Sequence, residues 1–281
     1  MARSFGLVLA GGGARGYAHL GVLRSFEHMG LHPSVIVGVS MGAVVAATYA
    51  LNPDWYKAMK NLDFPVFRTS PEIETSDQVN SIKKLFELGM AFKDLYFGWG
   101  LAPNAEAWGK KTAQALTLGK QLEDVRVPVL VCATDLNTGA RVILDHGSAA
   151  DAIYASSALA GVLPPLRFKE HLLIDGAYAD IAPIDVARNA GADVVVVVNA
   201  TGETQQHEPK NGLEALIQSV EICQTHHALL RYRDADFELA PKFGKVIGTL
   251  DFQLKRRAIA AGINCARRLA PDLKKTLYHE P

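Results

Sequence analysis

Residues 34–51, SVIVGVSMGAVVAATYAL, join a β-branched apolar run to an alanine-rich apolar run through the pentapeptide GVSMG. The first run predicts a buried strand and the second a buried helix. Gly-x-Ser-x-Gly at such a junction is typical of a nucleophile elbow, because only glycines, here Gly38 and Gly42, fit beside the serine in so tight a turn. We expect Ser40 to project at a helix N-terminus, where free amides and the helix dipole favour negative charge. A turn of small residues that merely includes a serine is the alternative.

A second glycine cluster, GGGARG at residues 11–16, also lies between a predicted strand and a predicted helix. Its G-x-G-x-x-G pattern would indicate dinucleotide binding if an acidic residue followed about 20 residues later, at the tip of the next strand. That strand ends at Val39 and Ser40 without an Asp or Glu, so the nucleotide hypothesis loses its second support. We expect instead an oxyanion-binding loop of backbone amides, formed by Gly11, Gly12, Gly13, Arg15 and Gly16. Close helix–strand packing would also explain the glycines, and Arg15 would either orient the loop or meet a lipid phosphate.

The third candidate is Asp175, which ends an apolar run and directly precedes Gly176. An aspartate in this position either caps the turn or accepts the proton of Ser40. Upstream, residues 155–166, ASSALAGVLPPL, are small and bounded by prolines, as expected of a segment packed near a tight active site.

The order of the predicted elements indicates the fold class. Strand, glycine turn and helix occur twice within residues 4–51, and this alternation predicts a parallel sheet covered by helices. Apolar runs at 127–136 and 192–200 predict further central strands that are buried on both faces. We expect an α/β domain whose core spans residues 5–200 and which residues 201–281 complete.

Residues 52–123 lack the rhythm of strands and are rich in aromatic side chains. They predict a helical insertion within the core that either lines an acyl pocket, or forms a lid that contacts lipid surfaces, or packs as an ordinary flap.

Composition narrows the function classes. The 29 Lys and Arg balance 29 Asp and Glu in 281 residues, which argues against nucleic-acid binding. The three cysteines lack metal-site spacing and fit a reducing compartment. The apolar stretch at residues 5–10 is shorter than the roughly 7–15 residues of an export signal. We expect a soluble, cytoplasmic protein without a metal or an organic cofactor.

Taken in order, GGGARG, GVSMG and DGA at residues 175–177 resemble the motifs of the patatin-like phospholipase family. Residues 155–166 and the tail ADFELAPKFGKVIGTLDF at 235–252 are similar to its bacterial group related to neuropathy target esterase. The resemblance covers residues 5–270 and thins between 52 and 100. At residues 180–183 this chain has DIAP where the family often has Asn-Asn-x-Pro, a departure that concerns the local loop and not the dyad.

The resemblance implies a three-layer α/β/α fold with a mostly parallel sheet. It also implies a Ser40–Asp175 dyad without histidine and the hydrolysis of phospholipid, lysophospholipid or simpler acyl esters. Peripheral membrane contact through residues 52–123 is expected if this aromatic-rich region forms a lid, and the oligomeric state stays open.

Two other hypotheses compete with a dyad hydrolase. The α/β-hydrolases order their triad as Ser, Asp and His, and His226 and His227 follow Asp175 in that order. Both lie within a helical pattern far from a strand tip, so we expect them, like His19, to be structural. A non-catalytic regulatory protein on the same fold is the other hypothesis.

Overall fold

The computed structural model describes residues 2–62, 99, 105–202, 208–209 and 212–278. Residues 63–98 and 100–104, which hold most of the predicted aromatic-rich insertion, lie outside the described residues. The strands are β1 Phe5–Leu9, β2 Val35–Val39, β3 Val129–Asp135, β4 Arg141–Leu144, β5 Leu166–Phe168, β6 His171–Asp175, β7 Val194–Val198 and β8 Phe237–Leu239. The helices are α1 Ala18–His28, α2 Met41–Leu51, α3 Trp55–Asn61, α4 Ala105–Thr117, α5 Ala149–Ser156, α6 Ile184–Asn189, α7 Gly212–Tyr232 and α8 Lys255–Tyr278.

The strands form one sheet whose hydrogen-bonded path runs β5-β6-β3-β2-β1-β7-β8, and β4 also pairs with β3. The pairs β1–β2, β1–β7, β2–β3 and β7–β8 are parallel, whereas β4, β5 and β6 pair antiparallel. Strands β1, β2 and β7 are buried along their whole length, as expected of central parallel strands covered on both faces. None of the helices in the described part of the chain is long and apolar enough to cross a bilayer.

Two apolar cores lie on opposite faces of this sheet. Along β7, Val194, Val196 and Val198 belong to the larger core, which helices α1, α2, α5 and α8 cover. The alternate residues Val195 and Val197 belong to the smaller core, which is covered by α6 and the end of α7. Since successive side chains of a strand point to opposite faces, the predicted three-layer α/β/α fold with a mostly parallel sheet is confirmed.

Strand β3 determines how the two halves of the chain meet. Its Cys132 pairs with Val39, the last residue of β2, and the next residue, Ala133, pairs with Asp175, the last residue of β6. Strand β4 pairs with the same two residues, Cys132 and Ala133. Because a strand can pair along only two edges, β4 occupies one edge of β3 here and leaves the other to both β2 and β6. Strands β2 and β6 therefore lie end to end along one edge of β3, so their last residues become neighbours.

Helices α1 and α8 cross at backbone-contact distance. A Cβ added to Gly262 of α8 would lie 2.0 Å from the carbonyl oxygen of Ala18, and one added to Gly21 of α1 would lie 2.1 Å from that of Ile259. Because α1 follows the glycine loop of residues 11–16, this contact also fixes the position of that loop.

We predict that Gly262→Ala destabilises the protein by about 1–3 kcal/mol, since the added methyl group forces the two helices apart. Helix propensity alone predicts the opposite sign, with alanine favoured by about 1 kcal/mol. The measurement is the free energy of unfolding in urea, and Asn264→Ala on the exposed side of α8 is the control. A Gly262→Ala protein as stable as the control would contradict the close crossing.

Candidate active site

The elbow between β2 and α2 has the geometry that its glycines require. Ser40 adopts φ 54° and ψ −123°, a conformation that a residue with a side chain rarely occupies. A Cβ on Gly42 would lie 2.0 Å from the carbonyl oxygen of Leu9, and one on Gly38 would lie 2.5 Å from the Cα of Ala43. The turn is therefore held from both sides by backbone, and it projects the Ser40 hydroxyl beyond the strand.

The Asp175 carboxylate lies next to that hydroxyl, at the point where β2 and β6 meet along the edge of β3. The Ser40 Oγ donates a hydrogen bond of 2.6 Å to Oδ2 of Asp175, while Oδ1 accepts one of 2.9 Å from the amide of Ala177. Gly176 is required at the next position, because a Cβ there would lie 2.1 Å from the carbonyl oxygen of Cys132. Burial raises the pKa of Asp175 to about 6, and the hydrogen bonds from Ser40 and Ala177 partly offset that rise.

Ser156, at the end of α5, connects the elbow to β3. Its fully buried hydroxyl accepts a hydrogen bond of 2.9 Å from the amide of Ser40 and donates one of 2.6 Å to the carbonyl of Cys132. Two residues later, the carbonyl of Ala158 accepts a hydrogen bond of 3.0 Å from the amide of Asp175. The segment 156–158 therefore holds the backbones of both Ser40 and Asp175, a role that the sequence did not reveal.

The glycine loop lies beside the serine, and its amides differ in availability. The amide of Gly11 donates to the carbonyl of Ile181 at 3.1 Å, so it is already occupied. The amides of Gly12 and Gly13 have no acceptor within the described ranges. Neither position has room for a side chain. A Cβ on Gly12 would lie 2.4 Å from the carbonyl oxygen of Ala200, and one on Gly13 would lie 2.3 Å from that of Thr249. Of the predicted oxyanion loop, these two amides are free to bind an anion.

Arg15 and Gly16 support the loop through packing. The buried guanidinium donates to the carbonyl of Gly12 at 3.3 Å and to the hydroxyl of Thr249 at 3.1 Å. A Cβ on Gly16 would lie 2.5 Å from Cγ of Met41, so glycine lets the loop approach the first residue of α2. The sequence left two roles open for Arg15, to orient the loop or to bind a lipid phosphate, and these contacts fit the first role.

The departure at residues 180–183 has a structural counterpart in a charged cluster. Asp180 is almost fully buried and accepts a hydrogen bond of 2.7 Å from Arg141 of β4. It forms a second ion pair with Arg231 of α7 at 3.0 Å, and its Oδ1 accepts from the amide of Ala182 at 3.1 Å. The cluster thus holds the loop whose Ile181 carbonyl binds the glycine loop.

Two cavities border Ser40, and Gly13, Leu159, Asp175 and Thr249 also line both of them. One, the apolar cavity, is lined mainly by apolar side chains that include Met41, Val44, Leu116, Ile153, Leu163 and Leu250. The other, the polar cavity, is lined by the polar side chains of Arg15, Thr201, Glu221, Gln224 and Thr225 together with apolar ones that include Ala177 and Ile181. Helix α4, from the predicted insertion, contributes Trp108 and Leu116 to the apolar cavity.

Histidines take no part in this arrangement as far as the chain is described. His19 is buried and donates from Nε2 to the carbonyl of Ala10 at 2.9 Å, and burial lowers its pKa to about 4. His226 is exposed on α7, and His227 lines a different cavity beside Tyr178. Among the described residues, no group of three His, Cys, Asp or Glu side chains is arranged to hold a metal ion.

Comparison with known sequences identifies the family. A sequence model of the patatin-like phospholipase family matches residues 7–188, more than half of the chain. The chain belongs to the patatin-like phospholipase family. The match includes the glycine loop, the elbow and the Asp175-Gly176 turn, and it confirms the family predicted from these motifs.

Several relatives and one solved structure are similar to this patatin-like chain. The patatin-like phospholipase domain-containing protein ZK370.4 of Caenorhabditis elegans is 30% identical over 227 residues, 76% of this chain and 15% of that protein. Lysophospholipase NTE1 of Pyricularia oryzae is 30% identical over 198 residues, and neuropathy target esterase sws of Drosophila melanogaster is 29% identical over 199. Each of these two matches covers 70% of this chain, but only 12% and 13% of the relatives' own lengths. The structure of VipD from Legionella pneumophila has the same fold, with a TM-score of 0.54 and 14% identity over 97% of this chain and 67% of that chain.

The raised pKa of Asp175 predicts a specific effect on stability. Because the folded-state pKa, about 6, exceeds the ordinary value of 3.8, folding favours the protonated carboxyl. That contribution is complete below pH 4 and is lost as the pH rises through 6. We therefore predict that Asp175→Asn, which stays neutral, is more stable than the wild type at pH 8 by on the order of 1–3 kcal/mol.

The measurement is urea unfolding of both proteins at pH 4, 6 and 8, with Asp272→Asn on the exposed side of α8 as the control. The gap between wild type and Asp175→Asn should narrow as the pH falls towards 4. A variant that is less stable than the wild type at pH 8 would show that burial does not penalise this carboxylate.

Proposed function

We propose that this protein is a serine acyl hydrolase that cleaves lipid acyl esters, with Ser40 as the nucleophile and Asp175 as the general base. The observation that carries the proposal is the buried hydrogen bond of 2.6 Å from Ser40 Oγ to Asp175 Oδ2, two residues that line both the apolar and the polar cavity. Phospholipids, lysophospholipids and simpler carboxylic esters are the substrate classes that this arrangement accommodates.

The proposed reaction begins with transfer of the Ser40 proton to Asp175 as Oγ attacks the acyl carbonyl carbon. The new oxyanion lies near the free amides of Gly12 and Gly13, and such preformed donors stabilise negative charge most strongly in a site that excludes water. The protonated Asp175 then returns its proton to the departing alcohol, which leaves an acyl-Ser40 ester. Water, deprotonated by Asp175, then attacks that ester, and Ser40 Oγ leaves and takes the proton back from Asp175, which frees the fatty acid.

An aspartate can act as the base here because of where it is buried. With a pKa of about 6, Asp175 is ionised at neutral pH but binds a proton more readily than an exposed carboxylate does. Ester alcohols leave with little acid assistance, so a single carboxylate suffices for esters where amides would demand more.

The two cavities match the two halves of a lipid ester. The apolar cavity suits an acyl chain, and the polar cavity suits the alcohol or head-group side, because apolar surface gains from leaving water and polar groups require partners. The lysophospholipase name of the relative from Pyricularia oryzae supports a lipid substrate.

The other hypotheses find less support. A Ser-His-Asp triad requires a histidine on the nucleophile, and neither Ser40 nor Asp175 hydrogen-bonds to a histidine among the described residues. A non-catalytic protein on this fold has no use for a serine held in a strained conformation against a buried carboxylate, since such strain typically costs about 1–3 kcal/mol.

We predict that Asp175→Asn lowers kcat/KM on a short-chain aryl ester by about 10²–10⁴-fold, the usual contribution of a general base. Ser40→Ala should abolish turnover, and the double variant should match Ser40→Ala alone, because residues that act as one unit do not add. His226→Ala and His227→Ala should retain wild-type kcat/KM. A folded histidine variant that loses more activity than Asp175→Asn would replace the dyad with a triad.

We also predict that Ser156→Ala lowers kcat by about 10- to 100-fold with little change in KM, because the Ser40 amide loses its acceptor and the nucleophile shifts. Ser148→Ala is the matched control, since Ser148 caps the other end of the same helix. It should cost about 1 kcal/mol of stability and leave kcat unchanged. Equal losses of kcat in both variants would assign Ser156 a merely structural role.

A further inference from the structure

A surface patch of mixed chemistry borders the mouth of the apolar cavity. We define the docking patch as Lys242, Lys245, Val246, Leu250 and Arg257, all of which are exposed. Val246 and Leu250 leave 45% and 40% of their surface in water. Leu250 is exposed and also lines the apolar cavity, so the patch reaches the edge of that cavity.

Contacts between the loop and the start of α8 keep the patch together. Nη1 of Arg257 donates to the carbonyl of Phe243 at 3.5 Å, and the same nitrogen lies 3.8 Å from the position of a Cβ on Gly244. The guanidinium therefore lies beside Phe243 and Gly244, the two residues that precede Lys245 and Val246 in the chain.

The segment that carries the patch is hydrogen-bonded to the glycine loop. The carbonyl of Thr249 accepts from the amide of Ala14 at 2.8 Å, and its hydroxyl accepts from Arg15 at 3.1 Å. The neighbouring side chain of Ile247 is buried, which turns Val246 outward. Because the same loop lines both cavities through Thr249, the patch keeps a fixed position relative to Ser40.

Charge in this segment is strongly one-sided. Residues 241–257 contain five Lys and Arg and a single acid, Asp251. The carboxylate of Asp251 accepts a hydrogen bond of 2.7 Å from the amide of Gly248, so it serves the turn of the loop itself. The exposed aliphatic side chains thus belong to a segment whose exposed charged residues, Lys242, Lys245, Arg256 and Arg257, are all cations.

We propose that the docking patch binds the surface of a lipid bilayer that contains anionic lipids and holds the cavity mouth against it. Exposed aliphatic side chains enter the boundary between head groups and acyl chains, and nearby cations bind anionic head groups. A second copy of the chain fits less well, because a two-fold contact would bring the cations of both patches together. The proposal adds a partner to the proposed hydrolase and does not depend on its catalytic activity.

The test is co-sedimentation of the Ser40→Ala protein with vesicles, so that no lipid is hydrolysed during the measurement. We expect binding to vesicles of mixed phosphatidylcholine and phosphatidylglycerol, little binding to phosphatidylcholine alone, and weakening by salt. Removing two cations with Lys245→Gln/Arg257→Gln should weaken partitioning about tenfold or more. Val246→Ser should weaken it severalfold.

The matched control is Arg267→Gln/Lys275→Gln, which removes the same charge from exposed positions of α8, beginning about 15 Å further along the helix. It should bind as the parent protein does. Equal weakening by the control, or a parent protein that does not bind mixed vesicles, would overturn the proposal. So would a dimer, detected by light scattering, that the patch variants convert to monomer.

An activity measurement separates this proposal from the proposed function. In the active protein, Val246→Ser and Lys245→Gln/Arg257→Gln should keep the wild-type kcat/KM on a soluble short-chain ester. The same variants should hydrolyse substrate embedded in mixed vesicles severalfold more slowly. Equal losses on both substrates would count against docking, whereas a wild type inactive on every ester but bound to vesicles would overturn the hydrolase and leave docking intact.

Discussion

The shared edge of β3 is the constraint on which the candidate site depends. Strand β2 occupies that edge up to Cys132, and β6 approaches from the opposite direction and occupies it from Ala133 onwards. Two strands that run towards each other along one edge must both leave the sheet where they meet. The chain therefore turns sharply at Ser40 and again after Asp175, and their side chains come within 2.6 Å, although 135 residues separate them.

At this junction the backbone segments lie closer together than a Cβ atom between them would permit. Gly42 contacts the end of β1 and Gly176 contacts β3 at distances that exclude a Cβ. The Ser156 hydroxyl bridges the Ser40 amide and the Cys132 carbonyl, so a side chain replaces the next rung of the ladder. The strained Ser40 and the buried Asp175 both cost stability, which the apolar cores on the two faces of the sheet offset.

The cavities around the junction determine how a lipid ester would be oriented in the site. An apolar cavity and a polar cavity both border Ser40, and Thr249 lines both. That loop packs on the glycine loop and exposes Val246 and Leu250 beside cations. The hydroxyl, the two cavities and the docking patch are thus connected through one short segment of backbone, which couples where a lipid would bind to how its ester would be oriented.

Local sequence determined the features that depend on backbone space and hydrophobic period. The apolar runs predicted the central strands, and the glycines around Ser40 and after Asp175 indicated tight turns, because those requirements are local. The roles within the glycine loop depended on distant partners: Ile181 occupies the Gly11 amide, and Thr249 binds the Arg15 guanidinium. Ser156 had no local signature, since its function depends on a strand end and an elbow that only folding brings to it. Periodicity and turn chemistry are properties of neighbouring residues, whereas hydrogen-bond partners across the junction are decided by the register of strands far apart in the chain.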